Sequence, residues 1–151
     1  TLKEMCSAFR KLGHRVNERQ IIRAALQLRV KLGYVLKIRK SEDYITKIIS
    51  KITSNPDIKN NTKQVIVNSN LYWQKLSHQA RNLLNSIPSL ERGGRNPYVF
   101  AAAIIYGTEQ NIALKENRKP MLTQKQIAKI VDVAEYSIRD HYCSLIKKYL
   151  N

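Results

Sequence analysis

The chain has 151 residues, enough to bury a core as one domain or as one domain with part of another, and it carries 27 Lys and Arg against 11 Asp and Glu, a formal charge of +16. That surplus far exceeds the magnitude of about 2 to 8 that solubility asks of a small domain, and it favours a polyanionic partner through long-range attraction and counterion release. Cys6 and Cys143 lie far apart with no clustered His, and no signal peptide or run of about 18 apolar residues occurs, so a soluble intracellular protein with no zinc site, disulfide framework or membrane contact is expected.

Gly and Pro are scarce, five and four, and apolar residues recur at helical spacing nearly throughout, which predicts an all-α chain. Helices are expected at about 2–12, 17–35, 42–53, 62–76, 77–86, 96–114, 124–131 and 135–150. The breaks are Asn55-Pro56-Asp57, Gly93 to Pro97 and Asn117 to Pro120. The chain opens at Thr1 without an initiating Met, in what reads as the middle of an architecture, so a fragment is expected.

Thr1-Leu2-Lys3-Glu4 is a capping box, in which Thr accepts from the third helical amide and Glu reaches back. Met5, Ala8 and Phe9 follow, then a turn at Gly13 to Val16 and a second helix opening Glu18-Arg19-Gln20-Ile21-Ile22-Arg23. Thirteen Lys and Arg against four acids make residues 1–53 the most basic third. Arg15, Arg19, Arg23, Arg29, Lys31, Lys37, Arg39 and Lys40 are interleaved with Ile21, Ile22, Ala24, Ala25, Leu26, Leu28, Val30 and Leu32. A helix with one buried and one basic face is expected, meeting DNA phosphates, an acidic protein surface or only solvent. Further along, Trp73 reads as core rather than as a platform for stacked bases.

Gly93-Gly94-Arg95-Asn96-Pro97 leads into an apolar helix with Pro97 at its first position. Gly94 and Arg95, beside the free amides of such a start, read as a phosphate site; a plain interhelical turn is the alternative. Thr123-Gln124-Lys125-Gln126 is a second capping box. Ile127, Ala128 and Ile130 or Val131 are its inward side, Asp132-Val133-Ala134 is a turn, and a last helix opens at Glu135-Tyr136-Ser137-Ile138-Arg139. Residues 122–151 thus have the length and pattern of a helix-turn-helix, and they echo Thr1 to Arg23 as if two copies of one unit were present. Ile138, Tyr142, Leu145, Ile146 and Tyr149 form the inward stripe, with Tyr136, Arg139, Asp140, Cys143 and Lys147 opposite.

A recognition helix reads base edges from its first turns while flanking cations hold phosphates. Tyr136, Ser137 and Arg139 occupy the reading position, with Arg139 able to donate twice to a guanine edge; Lys125 and Lys129 suit phosphates. An ordinary solvated helix face is the competing reading. Catalysis finds no support: the histidines form no metal spacing, no Walker loop or GxSxG is present, and a strand-transfer recombinase would need a constellation of further Arg and His that is missing. No catalytic residue, metal or cofactor is expected.

Together, Gly94-Arg95-Asn96-Pro97, Ala101-Ala102-Ala103 with Tyr106, Thr123 to Ala128, and Val133 to Arg139 with Tyr142 resemble the C-terminal core of the transcription initiation factor B family, archaeal TFB and eukaryotic TFIIB. The resemblance runs in order along nearly the whole chain. It implies two domains, with 1–40 as the closing helices of a partial first cyclin-like repeat and 41–151 as a complete second one ending in the helix-turn-helix.

It also implies a non-enzymatic, monomeric module that binds the TATA-binding protein and flanking promoter DNA, reading an upstream B recognition element in the major groove. Tyr136, Ser137 and Arg139 would then read bases, and Gly94 and Arg95 would lie by the DNA backbone. Arg19, Arg23, Arg29 and Lys31 would meet the TATA-binding protein or phosphate. RNA polymerase would be reached only through parts this chain lacks, and the setting would be the archaeal nucleoid or the eukaryotic nucleus. Tyr136 stands where the family commonly has a small aliphatic residue, and residues 61–92 and 109–122 are longer than usual. A helix-turn-helix regulator independent of the TATA-binding protein and a cyclin-like protein-interaction scaffold are the rivals.

Overall fold

In a computed structural model, residues 2–33, 39–66 and 68–150 are described; every regular element among them is helical. The chain divides into two compact units, Thr1–Ile38 and Arg39–Asn151.

The first unit is a helix pair, α1 (Leu2–Lys11) and α2 (Glu18–Leu32). Gly13, at φ +85°, reverses the chain after α1, and the His14 amide donates back to the Phe9 carbonyl at 2.9 Å, the long-range bond of a Schellman-type stop. The capping box at Thr1 falls outside the described residues, as does Lys37. A capping box does open α2: the Asn17 side chain accepts from the Gln20 amide and Gln20 Oε1 accepts from the Asn17 amide, each at 2.9 Å. The expected buried face of α2 is not found. Of its apolar residues only Ile21 is buried, while Ile22, Leu26, Leu28, Val30 and Leu32 are exposed. Within this unit α1 does not cover them.

The second unit closes a core. Its helices are α3 (Glu42–Thr53), α4 (Pro56–Val65), α5 (Ser69–Ser86), the single turn α6 (Ser89–Arg92), α7 (Pro97–Lys115), α8 (Gln124–Val131) and α9 (Glu135–Ser144), followed by a 3-10 turn (Ile146–Tyr149). The hub is α7, where Phe100 to Ile105, Ile112 and Ala113 are buried on every side; α3, α5, α8 and α9 all pack on it. A helix this apolar around its whole circumference must be enclosed. Gly107 permits the closest approach: a Cβ there would lie 2.8 Å from Ile146 Cγ2.

Asn55-Pro56-Asp57 is the expected break, parting α3 from α4, and it also starts the next helix at once, because the Asn55 side chain accepts from the amides of Asp57 and Ile58 at 3.1 and 3.3 Å and Pro56 needs no amide partner. Two expectations are corrected. Helices at 62–76 and 77–86 are replaced by α4 and by one unbroken α5. Tyr72, Leu76, Ala80, Leu83 and Leu84 form a single buried stripe along α5, so no packing reason exists for an interruption at 76. Lastly, the helix expected to reach 150 ends at Ser144. Tightening into the 3-10 turn places both Leu145 and Ile146 inward and carries Tyr149 Oη to within 2.8 Å of Glu91 Oε1, with Lys148 also on that carboxylate. Trp73 is half-buried at the edge of the core, ring edge to face with Tyr72.

Candidate nucleic-acid interface

The approach to α8 is fixed by an acid that the sequence reading passed over. Glu109, fully buried in α7, accepts from Arg118 Nη1 at 2.9 Å, from the Met121 amide at 2.8 Å and from the Tyr72 hydroxyl. Buried charge is tolerable only when paired and fully hydrogen-bonded, and here the pairing pins the segment 116–122 against the core. The signal was available: an isolated Glu amid Ile104, Ile105, Ile112 and Ala113 has no apolar reason to be there.

After that segment, Thr123 opens α8 with the expected capping box, the Gln126 amide donating to Thr123 Oγ1 at 3.2 Å and Gln126 Oε1 accepting from the Thr123 amide at 2.9 Å. Ile127, Ala128 and Val131 are buried and Ile130 half-buried. The turn depends on Asp132, at φ +55°, a left-handed position that short polar side chains tolerate better than most. There the Val133 amide donates to the Ala128 carbonyl at 3.0 Å. Tyr98 Oη donates to the Val131 carbonyl at 3.2 Å and itself receives Lys51 Nζ at 3.2 Å, so α3 and α7 both hold the end of α8. In contrast to α2, α9 starts without a side-chain cap, at Ala134.

Ile138 seats α9 on the core with no exposure, and Tyr142 meets Tyr106 edge to face at 5.0 Å. Burial beside Tyr106 raises the Tyr142 phenol above its ordinary value. The opposite face is displayed: Tyr136 is 73% exposed, and Arg139, Asp140, Cys143 and Lys147 are exposed with it. Ser137 is half-buried. Arg139 is not loose, since its Nε donates to Gln124 Oε1 and its Nη2 to Glu135 Oε1, both at 3.2 Å. Nε and Nη2 lie on one edge of the guanidinium, which leaves Nη1 and the outer Nη2 hydrogen, the end-on fork that pairs with guanine. Lys125 and Lys129 are exposed on α8.

The loop ahead of α7 differs from expectation. Gly94 is exposed and takes φ +72°. The open amides foreseen beside Arg95 are not open: Asn96 Oδ1 accepts from the Tyr98 and Val99 amides at 3.0 and 3.3 Å, and Pro97 has none. An asparagine cap competes for the very donors an anion would use. A phosphate here would therefore be met by the Arg95 side chain. That side chain is half-buried, donating from Nε to the Glu91 carbonyl at 3.3 Å and from Nη1 to His141 Nδ1 at 2.9 Å.

In the first unit Arg19, Arg23, Arg29 and Lys31 are all exposed on α2. Among the described residues no three His, Cys, Asp or Glu side chains gather as a metal site, and no helix is long and apolar enough to cross a membrane. No family model and no curated protein matches the chain.

Proposed function

We propose that this protein is a promoter-binding module of the initiation factor B type, with a cyclin-like second unit that reads DNA through α8 and α9 and contacts the TATA-binding protein through its basic N-terminal helices. The observation that carries the reading is the pairing of the firmly seated helices α8 and α9 with a displayed face of Tyr136 and Arg139, beside which Ser137 is half-buried. The charge of +16 supplies the sequence-independent attraction that such a reader needs. Lys125, Lys129 and Arg95 would hold the phosphates on either side, and the order of motifs along the chain supports the family resemblance.

The test is a gel shift on TATA-containing promoter DNA, with and without TATA-binding protein, across a salt series. Enhancement by that protein is expected. Binding that it never changes at any salt would leave a regulator acting alone, and a chain with no affinity for duplex DNA at low salt would leave a protein-interaction scaffold. Within the site, Arg139→Ala is expected to cost about 1 to 3 kcal/mol and to flatten preference at one base step, whereas Lys129→Ala weakens all sequences alike. Uniform loss from both would mean that Arg139 only holds phosphate.

A further inference from the structure

We propose that His141 is a positioning residue for Arg95, its neutral imidazole accepting from the guanidinium so that the cation ahead of α7 is held in register with the reading helix α9. This rests on the DNA-binding reading above and adds a residue that the reading does not use.

The geometry is a three-part cluster. Arg95 Nη1 lies 2.9 Å from His141 Nδ1. An arginine can only donate, so Nδ1 must offer a lone pair and the ring proton must sit on Nε2. Phe100 underlies both groups, its ring edge to face with the imidazole at 5.7 Å and 6.0 Å from the guanidinium carbon. The Glu91 carbonyl takes Arg95 Nε at 3.3 Å. Two of the five guanidinium N–H groups are thereby used and three are left for a phosphate oxygen. His141 itself has a side chain only 14% exposed, so it acts on DNA through Arg95.

The charged groups around the imidazole favour its neutral form. Burial works against a charge there, and Arg95 adds to that; Asp140, whose Oδ2 lies 3.7 Å from Nδ1 on the same helix, opposes both from a mostly exposed position. One step further out, the Glu91 carboxylate of α6 is already engaged by Lys148 and Tyr149. A flexible arginine fixed in this way has less freedom to lose when it meets a phosphate. It is also tied to the helix that displays Arg139, so the phosphate contact and the base contact move as one body.

The experiment measures binding of the whole chain to a short labelled promoter duplex at low salt for Arg95→Ala, His141→Ala, their combination, and His141→Asn, whose Oδ1 stands near the place of Nδ1. Each single alanine change is expected to weaken binding about tenfold, the loss of one charge-assisted hydrogen bond. The double variant should be no weaker than either, and asparagine should restore most of the affinity. Nitrogen NMR of the imidazole should show the Nε2–H form in the parent, and Arg95→Ala should move its titration midpoint up toward the ordinary histidine value. Losses that simply add, no rescue by asparagine, an Nδ1–H tautomer, or unchanged binding by Arg95→Ala would overturn the proposal. If Arg139 and Lys129 behave as stated above while these signatures are missing, the positioning role is wrong and the DNA reading stands. A parent chain that ignores the duplex removes both.

Discussion

The two helix pairs α1–α2 and α8–α9 leave their first helices in the same manner and then close on different things. A left-handed residue, Gly13 or Asp132, and a bond from the residue after it back to Phe9 or Ala128 reverse the chain in each. Beyond that point α9 lays Ile138 and the Leu145–Ile146 corner onto α7, whereas α2 leaves Leu26, Leu28, Val30 and Leu32 uncovered. Local sequence is thus sufficient to turn a chain; burying an amphipathic helix requires a surface to receive it. In the second unit that surface is α7, and the segment that brings α8 to it is fixed by Glu109.

The comparison is broken most severely by removing that fixture. Arg118→Met leaves the Glu109 carboxylate buried with its charge unpaired, which is expected to cost about 3 to 5 kcal/mol. Urea unfolding reads the loss as a lower midpoint. A cost below about 1 kcal/mol would mean that water replaces the guanidinium and that 116–122 is not pinned by it.

A sharper form sets the two pairs side by side. Ile138→Ala, at a site with no exposure, is expected to cost about 2 to 5 kcal/mol through lost burial and the cavity left behind. Leu28→Ala occupies the matching inward stripe of α2 by sequence pattern, yet it is 55% exposed and should change stability by less than about 0.5 kcal/mol. Equal losses from the two, measured in the same titration, would show that α2 is buried in solution after all.

Much of the second pair was legible in the sequence because its signals are local. The Thr123 box, the Asp132 turn and the division of α9 into an Ile138 side and a Tyr136–Arg139 side follow from spacing alone. What escaped depends on contacts distant along the chain. Burial of α2 was inferred from a stripe that α1, its partner within the first unit, leaves uncovered. That the Asn55-Pro56-Asp57 break is followed at once by a helix, and not by a loop to 62, goes with the burial of Ile58 in the core. The bonds from Arg95 to His141 and from Arg118 to Glu109, 46 and 9 residues apart, have no periodic trace. At the candidate site, spacing separated the displayed face of α9 from its inward face but carried no sign that Asn96 takes the amides assigned to phosphate.

The smallest expected effect is one of pH, and it separates a group seated by the core from groups at the surface. His141 titrates below its ordinary value because burial and then Arg95 disfavour its charge. The unfolded chain therefore binds the proton first, so stability falls as pH drops from about 6.5 toward the folded value, and the loss is complete below it. A second decline follows from below about 4.5. Glu116 is held below the usual carboxylate range by hydrogen bonds from Lys75 and then Arg118; at Glu42, burial pushes the other way but its own backbone amide and Arg92 prevail. His141→Asn should erase the first decline and leave the second, as read from thermal midpoints between pH 7 and 4. If the variant keeps the first decline, the proton responsible binds elsewhere and the imidazole is not seated against Arg95 and Phe100 as described.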